Sequence, residues 1–159
     1  MKLTNNFTLE ELTKSETALR QNIDNTPTDD VIANLRILAE KVLQPVREHY
    51  GRGVKVNSGY RSMAVNAAVG GVTAANGKPS DHTRGMAADI EIPGLPNAEL
   101  AQWIQDNLEY TQVILEFYTP GIPDSGWVHV SYDPSNLKKQ SLTAVKREGK
   151  TVYLPGLQA

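Results

Sequence analysis

Ser80-Asp81-His82-Thr83-Arg84-Gly85-Met86-Ala87-Ala88-Asp89-Ile90 is the stretch on which the reading of this chain turns. Its counterpart further along is Trp127-Val128-His129-Val130-Ser131. Both end in the alternation of a half-buried strand. In the first strand Ala87, Asp89 and Glu91 share one face, opposite Ala88, Ile90 and Ile92. In the second, Trp127, His129 and Ser131 lie opposite Val128 and Val130. A carboxylate drawn into an apolar strand needs a partner charge or a metal. His82, ahead of the first strand, adds a second imidazole. Two imidazoles and one carboxylate are ordinary zinc ligands, and a set of three leaves one coordination position open. Spacing alone does not decide the matter. A lone strand histidine is usually a satisfied core or surface residue, and a lone aspartate at a strand start is usually a cap or turn residue.

Outward from these strands the chain alternates helix and strand. Phe7 to Leu12 opens a short helix, with Thr8 and Glu11 at capping-box spacing. Asp24, Asn25 and Pro27 mark a loop. Thr28 is the expected N-cap of the longest helix, whose stripe is Val31, Leu35, Leu38, Val42 and Val46. Pro45 is expected to kink or divide it, and Gly51 and Gly53 to end it. Val54 to Ser58 alternates as a strand. Met63 to Val69 forms a short helix stopped by Gly70-Gly71, and residues 72–81 read as loop. Asn97 is the expected N-cap of a helix over Ala98 to Leu108. Gln112 to Phe117 is a third strand, and Trp127 to Tyr132 a fourth, antiparallel to it if the intervening loop is a hairpin. From Asn136 onward the chain reads as an edge or tail, with a short strand at Thr151-Val152-Tyr153. The fold class is α+β, helices packed on a small, mainly antiparallel sheet.

Composition narrows the function classes. The 159 residues have the length of one domain, 1–159, with 40% apolar and 21% charged residues. A net charge of -2 gives no field arguing for nucleic acid. Without cysteine there are no disulfides and no thiolate metal sites. Met1 to Asn6 contains no apolar h-region, so no cleaved signal is expected and synthesis in the cytoplasm is. No run is long enough to span a membrane. The basic residues Lys138, Lys139, Lys146, Arg147 and Lys150 read first as a solvated face.

Three blocks, Ser58-Gly59-Tyr60-Arg61-Ser62, then Ser80 with His82, Gly85, Ala87 and Asp89, then Trp127 to Ser131, occur in an order that resembles the zinc D-Ala-D-Ala carboxypeptidase-like peptidases of the M15 family. The similarity is to the branch found in phage and bacterial cell-wall hydrolases. The resemblance implies the fold shared with hedgehog-type signalling domains and a bound Zn2+ held by His82, Asp89 and His129. It implies that Arg61 grips a substrate carbonyl or carboxylate, a task its planar fork suits. Ser80 and Gly85 then shape the ligand loop, and Tyr60 and Trp127 either line the substrate cleft or pack. The family's general base stands three or five residues before the last zinc histidine. Three before is Gly126, which has no side chain to offer, and five before is Asp124. Glu116, on the neighbouring strand, is its rival. The blander reading makes Asp124 a turn residue and Glu116 an outward-facing one. The implied activity is hydrolysis of peptidoglycan stem peptides at a D-Ala-D-Ala, L-Ala-D-Glu or cross-bridge bond. The compact chain and the lack of an expected signal favour a phage endolysin acting on the wall, and a hydrolase this small is expected to be a monomer. A wall-recycling peptidase inside the cell, or an inactive zinc-stabilised binding module, are the alternatives.

Overall fold

The computed structural model describes residues 1–70 and 79–159. Helix α1 (Leu9–Thr13) opens with a reciprocal capping box: Thr8 Oγ1 accepts from the Glu11 N–H, and the Glu11 carboxylate accepts from the Thr8 N–H. Helix α2 (Glu16–Gln21) is one the apolar pattern does not announce. Ser15 caps it by accepting from the Ala18 N–H, and Asn22 ends it in the left-handed region, at φ 52°.

The expected disturbance at Pro45 takes a specific form. Helix α3 (Asp29–Leu38) widens into a π turn over Ala39–Leu43 and resumes as α4 (Gln44–Tyr50). Proline has no N–H to offer the turn before it. The Gln44 N–H instead reaches back to the Ala39 carbonyl, and the extra residue is absorbed there. The stripe Val31, Leu35, Leu38, Val42 and Val46 is buried along this whole length.

Six strands follow the order β1-β2-β4-β3-β5-β6. They are β1 (Lys55–Ser58), β2 (Ala87–Glu91), β3 (Gln112–Glu116), β4 (Trp127–Ser131), β5 (Gln140–Arg147) and β6 (Lys150–Pro155). All neighbours are antiparallel except β3 and β5. Ala88, Ile90, Val113, Leu115, Val128 and Val130 form the core face of this sheet. Each large one contributes roughly 1.5–3 kcal/mol on burial. That face holds the sheet, and the opposite face is left to carry polar groups. Helix α5 (Met63–Ala68) and a 3-10 turn (Asp81–Arg84) lie between β1 and β2 in the chain. Of the loop expected over 72–81, residues up to 78 lie outside the described residues, as does Gly71, and Asp81 already belongs to the 3-10 turn.

Two expectations are corrected. Asn97 does not cap α6 (Asn97–Asn107); Pro96 precedes the helix without a side-chain cap. The Asn97 amide donates instead to the carbonyls of Ser125 (2.9 Å) and Gly126 (3.2 Å), tying the helix to the β3–β4 loop. The segment from Asn136, expected as an edge or tail with a short strand at Thr151 to Tyr153, does form the sheet edge there, but as the second strand of a full hairpin whose first strand, β5, is not among the expected ones. Glu148 (φ 53°) and Gly149 (φ 77°) form its two-residue turn, the backbone that matches strand twist. Charged residues at the hairpin tip obscure the alternation in the sequence.

Gly126 (φ 65°) closes the β3–β4 loop against the other strand. A Cβ there would lie 2.0 Å from the Glu116 carbonyl oxygen. Gly121 (φ 89°), in the same loop, has open space around it. Both pay the left-handed penalty on substitution, roughly 1–2 kcal/mol, but only Gly126→Ala adds a backbone collision. In chemical denaturation Gly126→Ala should lose about 2 kcal/mol more than Gly121→Ala. Equal losses would mean that the hairpin does not close this tightly.

Candidate metal centre

His82, Asp89 and His129 meet on the polar face of the sheet, each offering a ligand atom within 4.8 Å of the others. Strand register is the cause. Asp89 and His129 are direct cross-strand partners of the β2–β4 pair, and His129 faces Ile114 on β3. Asp89 Oδ1 lies 3.0 Å from His129 Nδ1 and 3.4 Å from His82 Nε2.

His82 comes from the 3-10 turn, which is pinned on every side. Ser80 Oγ accepts from the His82 N–H at 3.3 Å. Arg84 bridges Asp81 (2.6 Å) and Asp133 (3.2 Å). Gly85 (φ 72°) ends the turn where a Cβ would stand 2.8 Å from the Val31 carbonyl oxygen, so the turn lies directly on α3. The His82 ring is 2% exposed. Its Nδ1–H donates to the Gly59 carbonyl at 2.7 Å, which turns Nε2 toward Asp89. Gly59 is held in turn by Leu12. The Tyr60 N–H donates to the Leu12 carbonyl at 2.7 Å, and a Cβ on Gly59 would sit 2.3 Å from that oxygen. Asn25 stitches the same loop, donating to the Thr13 and Tyr60 carbonyls and accepting from the Ser62 N–H.

Burial alone would raise the pKa of Asp89. The charge of His82 and the hydrogen bond from His129 outweigh it and hold the carboxyl well below the ordinary range. Burial likewise opposes a charge on His129, yet its bond to Asp89 raises its pKa above the usual histidine value. For Glu116 burial and the neighbouring Asp89 charge act together and push the carboxyl up.

The cleft over this centre has a volume of about 630 Å³, and Arg61, Ser80, Glu116, Phe117 and Trp127 line it beside the three ligand residues. The Trp127 indole N–H donates to Glu116 Oε2 at 2.5 Å, and its ring packs edge-on to Phe117 with centroids 5.4 Å apart. Arg61 Nε is buried with no hydrogen-bond partner among the described residues. Two predicted residues lie elsewhere. Tyr60 is 7% exposed and packs in the core. Asp124 is an exposed turn residue that does not line the cleft, because the loop carries it beyond the end of β4. Leu142, Lys146, Thr151 and Tyr153, from β5 and β6, do line it. Sequence reasoning missed them, although Leu142, Ala144 and Lys146 already share one face of an alternating strand.

A His–Asp–His cluster lining a cleft, beside a carboxylate of raised pKa, has the donor set of a candidate metal site. Residues 5–131 match the family described as Peptidase M15, and the chain belongs to that family, whose members are metallopeptidases. No curated protein matches the chain. Among the described residues, no helix is long and apolar enough to cross a membrane.

The metal-free protein offers a direct check on the cluster. In an NMR titration the His129 ring should hold its proton above the ordinary value of about 6.5. Asp89→Asn should lower that pKa, because the strongest opposition to burial is then removed, leaving only the charges of Glu116 and Asp81. An unchanged His129 titration would show that the two residues are not paired.

Proposed function

We propose that the protein is a zinc peptidase that cleaves peptidoglycan stem peptides, with His82, Asp89 and His129 as the metal ligands. The donor set fits the ion: two imidazole nitrogens and one carboxylate oxygen, with His82 held by Gly59 in the tautomer that frees Nε2. The observation that carries the reading is the presence of Glu116 on the same sheet face and in the same cleft as these three. Zinc would supply Lewis acidity, lowering the pKa of water to roughly 7 and polarising the scissile carbonyl.

The chain's own residues divide the remaining work. Glu116 is the general base in this reading. Trp127 occupies Oε2, and Oε1 takes a proton from the attacking water and passes it to the leaving amine. The raised pKa of Glu116 suits it to both transfers. Arg61, with an unused buried N–H, orients the substrate carbonyl or a nearby carboxylate. Asp124 has no part in this scheme. Lysis of the wall in the manner of a phage endolysin follows from the motif resemblance, and peptidoglycan is the partner it requires.

Incubation with peptidoglycan, with and without a chelator, tests the reading through the fragments seen by mass spectrometry. Chelator-sensitive release of a defined fragment is expected, and its new termini name the bond. No release from zinc-loaded protein would overturn it. Glu116→Gln should lower kcat by roughly 10²–10⁴-fold with zinc retained, and Asp124→Asn should leave kcat unchanged. The reverse pattern would move the base to the loop.

The acid limb of kcat/KM reports the base. Activity should rise with pH as Glu116 ionises. The Trp127 hydrogen bond favours the ionised form, so Trp127→Phe should move the limb to higher pH. A limb that stays in place in both Trp127→Phe and Glu116→Asp would exclude Glu116.

A further inference from the structure

The hairpin formed by β5 and β6 lies beyond residues 5–131, yet it builds one side of the cleft. The parallel pairing of β5 with β3 puts it there. Trp127, Glu116, Ala144 and Tyr153 follow one another across four strands as successive register partners. Ala144 is small and fully buried, so nothing tall stands between Glu116 and Tyr153. Burial and the Glu116 charge together push the Tyr153 phenol up, which places that phenol within the field of the cleft. One rung further, Lys146 faces Thr151. Its Nζ stands 5.5 Å from the centroid of the Phe117 ring, whose backbone sits in the left-handed region at φ 57°.

Charges in the cleft are unevenly matched. Asp81 is engaged by Arg84, Asp89 by two imidazoles, and Glu116 by Trp127. Arg61 and Lys146 make no ion pair with any of the described residues. They enter the cleft from different parts of the chain, one before the metal-ligand residues and one after them. Arg147 and Lys150, on the same hairpin, do not line it.

We propose that the β5–β6 hairpin is a substrate-reading wall in which Lys146, steadied over Phe117, pairs with a carboxylate of the peptide substrate. An ammonium on a flexible stem accepts a carboxylate without the planar alignment that a guanidinium demands. It therefore adds charge selection at a distance from the scissile bond. This assignment rests on the peptidase reading above and extends it to the chemistry of the substrate.

The test compares synthetic stem peptides with all carboxylates free against peptides in which each carboxylate in turn is a carboxamide. For the wild-type enzyme one carboxamide should raise KM roughly tenfold, the value of one charge-assisted contact. Lys146→Gln should abolish that discrimination by losing affinity for the acid while its KM for the amide stays put. Lys146→Arg should restore it, and Lys150→Gln should leave it intact. A Lys146→Gln enzyme that keeps the discrimination, or that loses acid and amide equally, overturns the assignment, as does a wild-type enzyme indifferent to every carboxamide. If the zinc-loaded wild type cleaves neither these peptides nor the polymer, the peptidase reading itself falls, and this inference with it.

Discussion

The Asp89 carboxylate, set between two imidazoles on the polar face of the sheet, is the constraint to which the rest of the molecule answers. A buried anion is tolerated only when it is compensated. Here the compensation comes from three separated parts of the chain. β4 brings His129 by register, and the 3-10 turn brings His82. The Gly59 loop fixes which His82 nitrogen faces inward. The third supplies no ligand atom, yet it decides whether the second can work. Its position is set by α1, through Leu12, and by Asn25. The N-terminal helices thus serve the candidate metal centre without reaching it.

The sheet separates two tasks by its pleat. Residues of one parity on β2, β3 and β4 make the core; those of the other parity make the site. A register slip by one residue would exchange them, so hydrophobic burial also enforces the geometry of the cluster. Glycines mark the points where backbones must touch for this to hold. Gly85 seats the ligand turn on α3, and Gly126 seats the end of β4 on Glu116.

What could be read in the sequence was what is periodic or local. The face shared by Ala87, Asp89 and Glu91 follows from a period of two, and the capping box of Thr8 and Glu11 from four adjacent residues. That Glu116 and not Asp124 lines the cleft was not legible. Counting back from His129 favours Asp124, but distance along a loop does not measure distance in space; the β3–β4 register does, and it puts Glu116 beside Trp127. Asn97 looked like a cap because asparagine usually is one ahead of a helix, yet its amide is spent on the loop behind it. The place of β5 was hidden for another reason. Its partner is β3, reached by a parallel crossing that no local pattern announces, and the lysines at the hairpin tip read as solvent-facing charge.

The hairpin also bears on how copies of this chain meet one another. Without it β3 would be an outermost strand, its alternate backbone groups left unpaired and open to any passing chain, a standing invitation to strand-by-strand association. With it the outermost strands are β6 and β1. β6 begins at Lys150 and ends at Pro155, which has no N–H to donate. β1 carries Lys55 and a register shift between Val56 and Ser58. Both borders of the sheet therefore carry features that discourage growth by strand addition, and its most apolar strands are kept inside.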